Sequence, residues 1–258
     1  MSGRMQNMMA ATPVASIPPI TRAEAEGLAT TEFARLVELL RSLSPEDWAR
    51  QTECPLWDVR AMVGHSLGMM TDFASYRSLV RRMRAATKAS KASGDAFIDS
   101  MTALQVADNV ALPTDELVAR AAEEGPRQAH WRTKANRLFR RMPMKEEVDG
   151  RPETWRMSYL LDVILTRDPW MHRVDIARAT GRELVLTPDH DGHIVADVVA
   201  EWARRHGQPF TLHLTGPAGG EFVAGEGGEH ITIDAVELCR TLSGRAEGEG
   251  LLRQTVPF

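Results

Sequence analysis

Between Ser158 and Gly181 the sequence carries one long helical pattern whose inward face includes a carboxylate and an imidazole. Leu161, Ile164, Leu165, Asp168, His172, Ile176 and Ala179 recur at spacings of three and four, so aliphatic side chains flank Asp168 and His172 on one face. Such a helix is stable only when packed against others, and burying an unpaired carboxylate is costly. Asp168 must therefore meet a cation, a hydrogen-bond network or water. A divalent metal shared by Asp168, His172 and a ligand from another helix would satisfy both groups. Asp168-Pro169 reads equally well as a helix start, with Asp as N-cap and Pro at the first helical position. A lone His on such a face is commonly a core residue, so this stretch alone leaves both readings open.

The preceding chain supplies the other helices. Thr21-Arg22-Ala23-Glu24 is a capping-box pattern, and Phe33, Leu36, Val37, Leu40 and Leu43 predict a helix over 21–43. Ser44-Pro45 opens a short turn of helix. Asp58 is a strong N-cap, after which Val59, Met62, Val63, Leu67 and Met70 keep helical spacing, with His65 at the edge of the inward face. This helix is expected to run on into Tyr76–Lys91, where Arg77, Arg81, Arg82, Arg84, Lys88 and Lys91 form a solvated face or a positive rim for an anionic small molecule. A short helix is expected over 96–110. Another opens at Thr114, is ended or bent by Gly125-Pro126, and continues to Arg141. Pro143 and Gly150-Arg151-Pro152 read as a loop. Four substantial helices before residue 182 suit an antiparallel bundle.

Beyond Gly181 the pattern changes. Thr187-Pro188 starts a helix, and His190-Asp191-Gly192-His193 in its first turns reads more simply as exposed polar residues than as a metal cluster. Phe210–Thr215 alternates as a strand, Glu221–Ala224 returns, and His230–Asp234 gives a third strand before a helix capped by Asp234. The expected fold class is α+β: a disordered leader over 1–20, a helical bundle over 21–182 and a small C-terminal α/β lobe over 186–258.

Composition narrows the function. A net charge of -4 argues against nucleic acid as a partner of the whole protein. No apolar run approaches the ~18 residues of a membrane span, and two cysteines, Cys54 and Cys239, point to a reducing, cytoplasmic setting.

Three motifs carry a family likeness. They are Thr52-x-Cys54-Pro55-x-Trp57-Asp58-Val59-Arg60 with Val63-Gly64-His65-x-Leu67-Gly68; Asp168-x-x-x-His172-Arg173-x-Asp175-Ile176-Ala177; and Glu237-Leu238-Cys239-Arg240-x-Leu242-Ser243-Gly244-Arg245 with the final Val256-Pro257-Phe258. Together, in this order, they resemble the mycothiol-dependent maleylpyruvate isomerase family within the DinB-like bundles. The resemblance implies a DinB-like four-helix bundle that holds zinc or a similar divalent ion through His65, Asp168 and His172. Leu56 stands where the family has glycine, and Asp168 where its isomerase more often has Glu.

Three protein ligands leave one position open, as in catalytic sites, and a thiol entering it is deprotonated by the cation. The leading expectation is a metal-dependent thiol S-transferase, with mycothiol as cosubstrate and a metal-bound thiolate adding to an electrophilic small molecule. A mycothiol-dependent cis-trans isomerase of maleylpyruvate type is the runner-up, and a non-catalytic protein that binds metal or a thiol conjugate is the third reading. Arg173 and Arg245 are the candidate catalytic residues, either able to hold a substrate carboxylate. Arg245 resembles a position the family uses in its active site, whereas a salt bridge is an equal reading of Arg173. Asp175 is expected to orient a ligand or Arg173. Neither a nucleic acid nor a membrane is an expected partner, and no sequence feature marks the interface of a homodimer.

Overall fold

The computed structural model describes residues 11–148 and 150–258. Its contacts divide the chain into two units, one of them running from Ile20 to Val185 and the other joining the described residues before Ile20 to Leu186–Pro257.

The first unit contains α1 (Arg22–Arg41), α2 (Val59–Asp72), α3 (Tyr76–Ser93), α4 (Phe97–Asn109), α5 (Thr114–Lys134), α6 (Arg137–Arg141), α7 (Met157–Tyr159) and α8 (Leu165–Thr180). α1 starts at the expected capping box, with Thr21 N donating to Glu24 Oε2 at 2.8 Å and Glu24 N donating to Thr21 Oγ1 at 3.3 Å. Asp58 caps α2 by accepting from Ala61 N at 2.8 Å. α1 packs on α5 and α8, while α2 packs on α4, α5 and α8. The buried side chains of Phe33, Leu36, Leu40, Met62, Leu67, Met70, Leu117 and Ile176 fill the space they enclose.

Three expectations for this unit are corrected. The helix from Val59 does not run on to Lys91: Phe73 closes α2, and Ser75 opens α3 by accepting from Ser78 N at 3.1 Å. Gly125-Pro126 does not end α5, which stops at Lys134 rather than reaching Arg141: Asn136 caps the separate α6 by accepting from Phe139 N at 2.9 Å. The carbonyl that Pro126 leaves without its helical donor belongs to Ala122, an exposed residue that water can serve, and Gly125 lets Phe33 approach closely. The loop read before α7 contains a hairpin of β2 (Pro143–Val148) and β3 (Arg151–Arg156), paired antiparallel with Met144 opposite Trp155.

The long Ser158–Gly181 segment is helical throughout, but not uniformly α-helical. Leu160–Ile164 forms a π-helical turn between α7 and α8, and Gly181 ends α8 with φ of 68°. Asp168 and Pro169 both lie inside α8, so Asp168 is not an N-cap. Pro169 cannot donate to Leu165 O four residues back. The buried Arg132 of α5 fills that place, its Nη1 donating to Leu165 O at 2.7 Å while Nη2 donates to Thr166 Oγ1 at 2.9 Å and to Ala25 O. Burial pulls the Arg132 guanidinium down to about 9, against the opposing pull of Asp162. The proline that suggested a helix break is thus accommodated by a donor from another helix.

The second unit begins with β1 (Thr12–Pro13) and a 3-10 turn at Val14–Ser16. The first ten residues of the expected leader lie outside the described residues, but Thr12 and Pro13 pair in parallel with Phe222 and Val223. Proline-rich composition suggested disorder. As an edge strand, however, β1 tolerates a residue without an N–H. The unit continues with α9 (His193–His206), β4 (Phe210–Thr215), β5 (Gly220–Ala224), β6 (Glu229–Asp234) and α10 (Ala235–Leu242). The sheet order is β1-β5-β4-β6, with β4 antiparallel to β5 and parallel to β6. His190 and Asp191 are buried rather than exposed, because Asp191 Oδ2 accepts from Thr187 N at 2.6 Å and closes the turn into α9. The architecture is therefore α+β, and no helix among the described residues is long and apolar enough to cross a membrane.

Candidate metal centre

Helical geometry brings the candidate ligands together. His65 sits in the second turn of α2, and Asp168 and His172 share one face of α8 by their i,i+4 spacing. His172 Nε2 lies 3.2 Å and His65 Nε2 3.9 Å from Asp168 Oδ1. One ligand atom from each of the three residues falls within 4.8 Å of the others. Both histidines are buried and Asp168 is half-buried.

Their polar atoms are incompletely used. Among the described residues, His172 Nε2, Asp168 Oδ2 and His65 Nδ1 are buried without a hydrogen-bond partner. Such groups cost about 1–3 kcal/mol each when left unpaired, so two imidazoles and a carboxylate converging in this way fit a divalent cation. Burial raises the Asp168 carboxyl, but the adjoining His172 and His65 outweigh it and hold it below the usual carboxylate range. For His172, burial acts downward, yet Asp168 and then Asp175 push it up to about 9.

Each imidazole is positioned differently. His172 Nδ1 hydrogen-bonds Asp175 Oδ2 at 3.4 Å, and the Asp175 side chain is fully buried, which leaves Nε2 directed at Asp168. The ring of His65 instead stacks on the indole of Trp57, with centroids 4.7 Å apart and planes at 28°. Trp57 also meets His172 edge-on at 5.9 Å.

Comparison with known proteins gives this geometry a context. The sequence profile described as "Mycothiol maleylpyruvate isomerase N-terminal domain" matches residues 29–177, more than half of the chain, and the match includes all three candidate ligands. The chain belongs to this mycothiol maleylpyruvate isomerase family. The crystal structure of the mycothiol-dependent maleylpyruvate isomerase is similar to it with a TM-score of 0.55 at 16% identity, covering 91% of this chain and 92% of that one. A mutant of that isomerase matches with a TM-score of 0.54 at 15% identity over the same shares. At these identities the solved structures speak for the fold, and they agree with a helical bundle followed by a small α/β unit. A comparison with curated proteins finds no match. Membership places the chain in an enzyme family whose description names mycothiol and an isomerase.

The remaining sequence candidates are less directly placed. Arg173 points away from the two histidines' shared carboxylate into a bidentate pair with Glu32 of α1, Nε to Oε1 at 2.6 Å and Nη2 to Oε2 at 3.0 Å, and its Nη1 donates to Val185 O at 2.9 Å. Only 2% of its side chain is exposed, and none of the Glu32 side chain. Arg173 is thus in a salt bridge, but the carboxylate that the geometry gives it is Glu32 of α1, 141 residues away in the sequence, where the sequence pointed to Asp175 or a neighbour. Arg245 lies in the second unit, in the turn after α10, where its N–H donates to Arg240 O at 2.9 Å. In the basic run, Arg82 is buried against Asp72 and Asp108 at 2.7 Å each, whereas Arg77, Arg81, Arg84, Lys88 and Lys91 are exposed. Trp57 belongs to the first of the three family motifs, where nothing marks it for a role at the metal centre. Its position one residue before the Asp58 cap was the available signal, because it places the indole at the start of the helix that carries His65.

Proposed function

We propose that this protein is a metal-dependent enzyme that activates a low-molecular-weight thiol, mycothiol by family, to isomerise a small cis-unsaturated acid of the maleylpyruvate type. The observation that carries the reading is the convergence of His65, Asp168 and His172, with buried and unpartnered ligand atoms, inside the family-matched bundle. Zinc suits two imidazoles and one carboxylate, with a fourth position left for a ligand from solution.

When bound there, the cation supplies the positive charge that keeps a thiol sulfur anionic near neutral pH. The residues of the chain do the rest. His65 and His172 would contribute neutral nitrogen donors and Asp168 the one negative charge among the ligands, so a divalent ion would keep net positive charge with which to hold an anion. Asp175 fixes the tautomer and ring of His172. The Trp57 ring covers one face of His65 and limits the approach of water from that side. Addition of the sulfur to one carbon of the double bond would push the π pair into the conjugated carbonyl as an enolate and leave a single bond about which the acid could rotate; return of that pair would expel the sulfur. Elimination of the sulfur then restores the alkene in trans form and releases the thiol unchanged.

The S-transferase reading shares the addition and differs in releasing the thioether. Leu56 and Asp168 tilt the sequence that way, but the family description supports the isomerase, and no structural observation favours the transferase. The test is to incubate the zinc-loaded protein with maleylpyruvate and mycothiol while following both the cis acid and the free thiol. The proposal expects many turnovers of acid at constant thiol. Thiol consumed one-for-one with acid would favour the transferase, and stoichiometric binding without turnover would favour a binding protein.

A further inference from the structure

The two histidines of the centre are held by different means. A ligand imidazole ordinarily owes its orientation to a hydrogen bond at its second nitrogen. His172 has that bond, from Asp175 at 3.4 Å. His65 does not: with Nε2 facing Asp168, its buried Nδ1 has no hydrogen-bond partner among the described residues. What lies against the ring is the Trp57 indole, stacked nearly parallel at 4.7 Å, a separation within the usual range for attractive ring pairs.

The segment carrying Trp57 is built to place that indole. Gln51 and Asp58 form an isolated β-bridge that closes the loop at its base. The Trp57 carbonyl accepts three donors, Thr52 N at 3.3 Å, Thr52 Oγ1 at 2.6 Å and Gln51 Nε2 at 2.9 Å, while Trp57 N donates to Cys54 O at 2.9 Å. The indole is half-buried and packs on the hydrophobic core of the bundle. Both the backbone and the ring of Trp57 are thus fixed from sides that do not involve the metal ligands.

We infer that Trp57 is a positioning residue for the metal centre: its stacked indole sets the ring of His65 for coordination, in the role that Asp175 serves for His172. The inference rests on the metal-centre reading above. It predicts that metal affinity responds to the aromatic face at position 57 rather than to its size or its N–H group.

Cobalt(II), added alone to the metal-free full-length protein, is the probe, because its visible absorption reports coordination geometry independently of turnover. The parent is expected to bind one equivalent with the strong visible bands of a four-coordinate site. Trp57→Phe keeps a ring face and is expected to bind within about threefold of the parent, whereas Trp57→Leu should bind about 10–100-fold more weakly, the usual effect of removing a group that orients a ligand. Its bands should also be weaker. Thr52→Val removes the 2.6 Å anchor of the Trp57 carbonyl without touching the indole and is expected to weaken binding several-fold. If Trp57→Leu fails to fold by circular dichroism, Thr52→Val decides in its place. Parent-like affinity and spectrum in Trp57→Leu, or in Thr52→Val where that variant decides, would overturn the inference while leaving the metal centre standing. A parent that binds no cobalt would overturn both.

Discussion

A single methyl group at Gly68 should push α2, the helix that carries His65, away from α4. Gly68 lies on α2, three residues after His65, where α2 meets α4. A Cβ there would stand 2.5 Å from Gln105 Cβ, 2.7 Å from Gln105 Cγ and 2.9 Å from Gln105 Cα, against the 3.4–4 Å of ordinary contact. Since a backbone atom is among the three, a rotamer change of Gln105 cannot relieve the clash, and the helices must part by roughly 1 Å. That movement strains a buried network in which Gln105 Nε2 donates to Asp72 Oδ2 at 2.9 Å and Asn109 Nδ2 donates to Gly64 O at 3.0 Å. Replacing glycine by alanine in a helix favours folding by about 1 kcal/mol. Overpacking a tight contact costs about 1–3 kcal/mol and more where the backbone must move, so Gly68→Ala should lose about 1–2 kcal/mol net. In a unit of this size that is a fall in Tm of about 2–8 °C. Gly27 supplies the control: it is exposed on α1, and a Cβ there meets nothing within 4 Å. Gly27→Ala should therefore raise Tm by about 1–4 °C from the propensity gain alone. Thermal melts followed by circular dichroism, with urea titrations for the free energies, read both. Stabilisation by Gly68→Ala would refute the close-approach argument, and destabilisation by Gly27→Ala would refute the propensity argument.

Glu32→Gln removes the carboxylate that pairs bidentately with the buried Arg173 guanidinium and should cost about 3–5 kcal/mol in urea unfolding; a loss below 1 kcal/mol would show that the pair contributes little to stability. Asp47 is held down to about 2 by the Arg182 guanidinium and the Ser44 N–H. Its folded value is depressed, so its contribution to stability is complete above the unfolded value of about 3.9 and fades as pH falls through about 2. The gap in urea midpoint between the parent and Asp47→Asn should be constant above about pH 5 and narrow toward pH 2; a gap undiminished at pH 2 would contradict the assignment.

What the sequence disclosed depended on how local the deciding interaction was. The Thr21–Glu24 capping box, the Asp58 cap and the Asp234 cap each join residues two or three positions apart, and their helices begin where the pattern predicts. Strand β4 alternates in burial as its sequence alternates. The misreadings share a distant partner or a competing local signal. Pro169 left a helix break open as an equal reading because its compensating donor, Arg132, lies in another helix. The described part of the leader read as disordered because β1, at Thr12–Pro13, finds its partner, β5, some 200 residues later in the chain. The break between α2 and α3 was hidden by apolar spacing that continues through it, although Ser75 three residues before Ser78 was a readable cap. At the candidate centre, spacing alone aligned Asp168 with His172. It could not bring His65 beside them, because that depends on how α2 packs against α8, and the family motif supplied the connection.

The metal content of the purified protein tests the central claim most directly. It should be measured for the parent and for His65→Ala, Asp168→Ala and His172→Ala, each confirmed as folded by circular dichroism. The account predicts close to one equivalent of divalent metal in the parent, retained through desalting, and its loss in each folded variant. A parent that stays metal-free after reconstitution with zinc, or folded variants that keep the parent's metal, would contradict it.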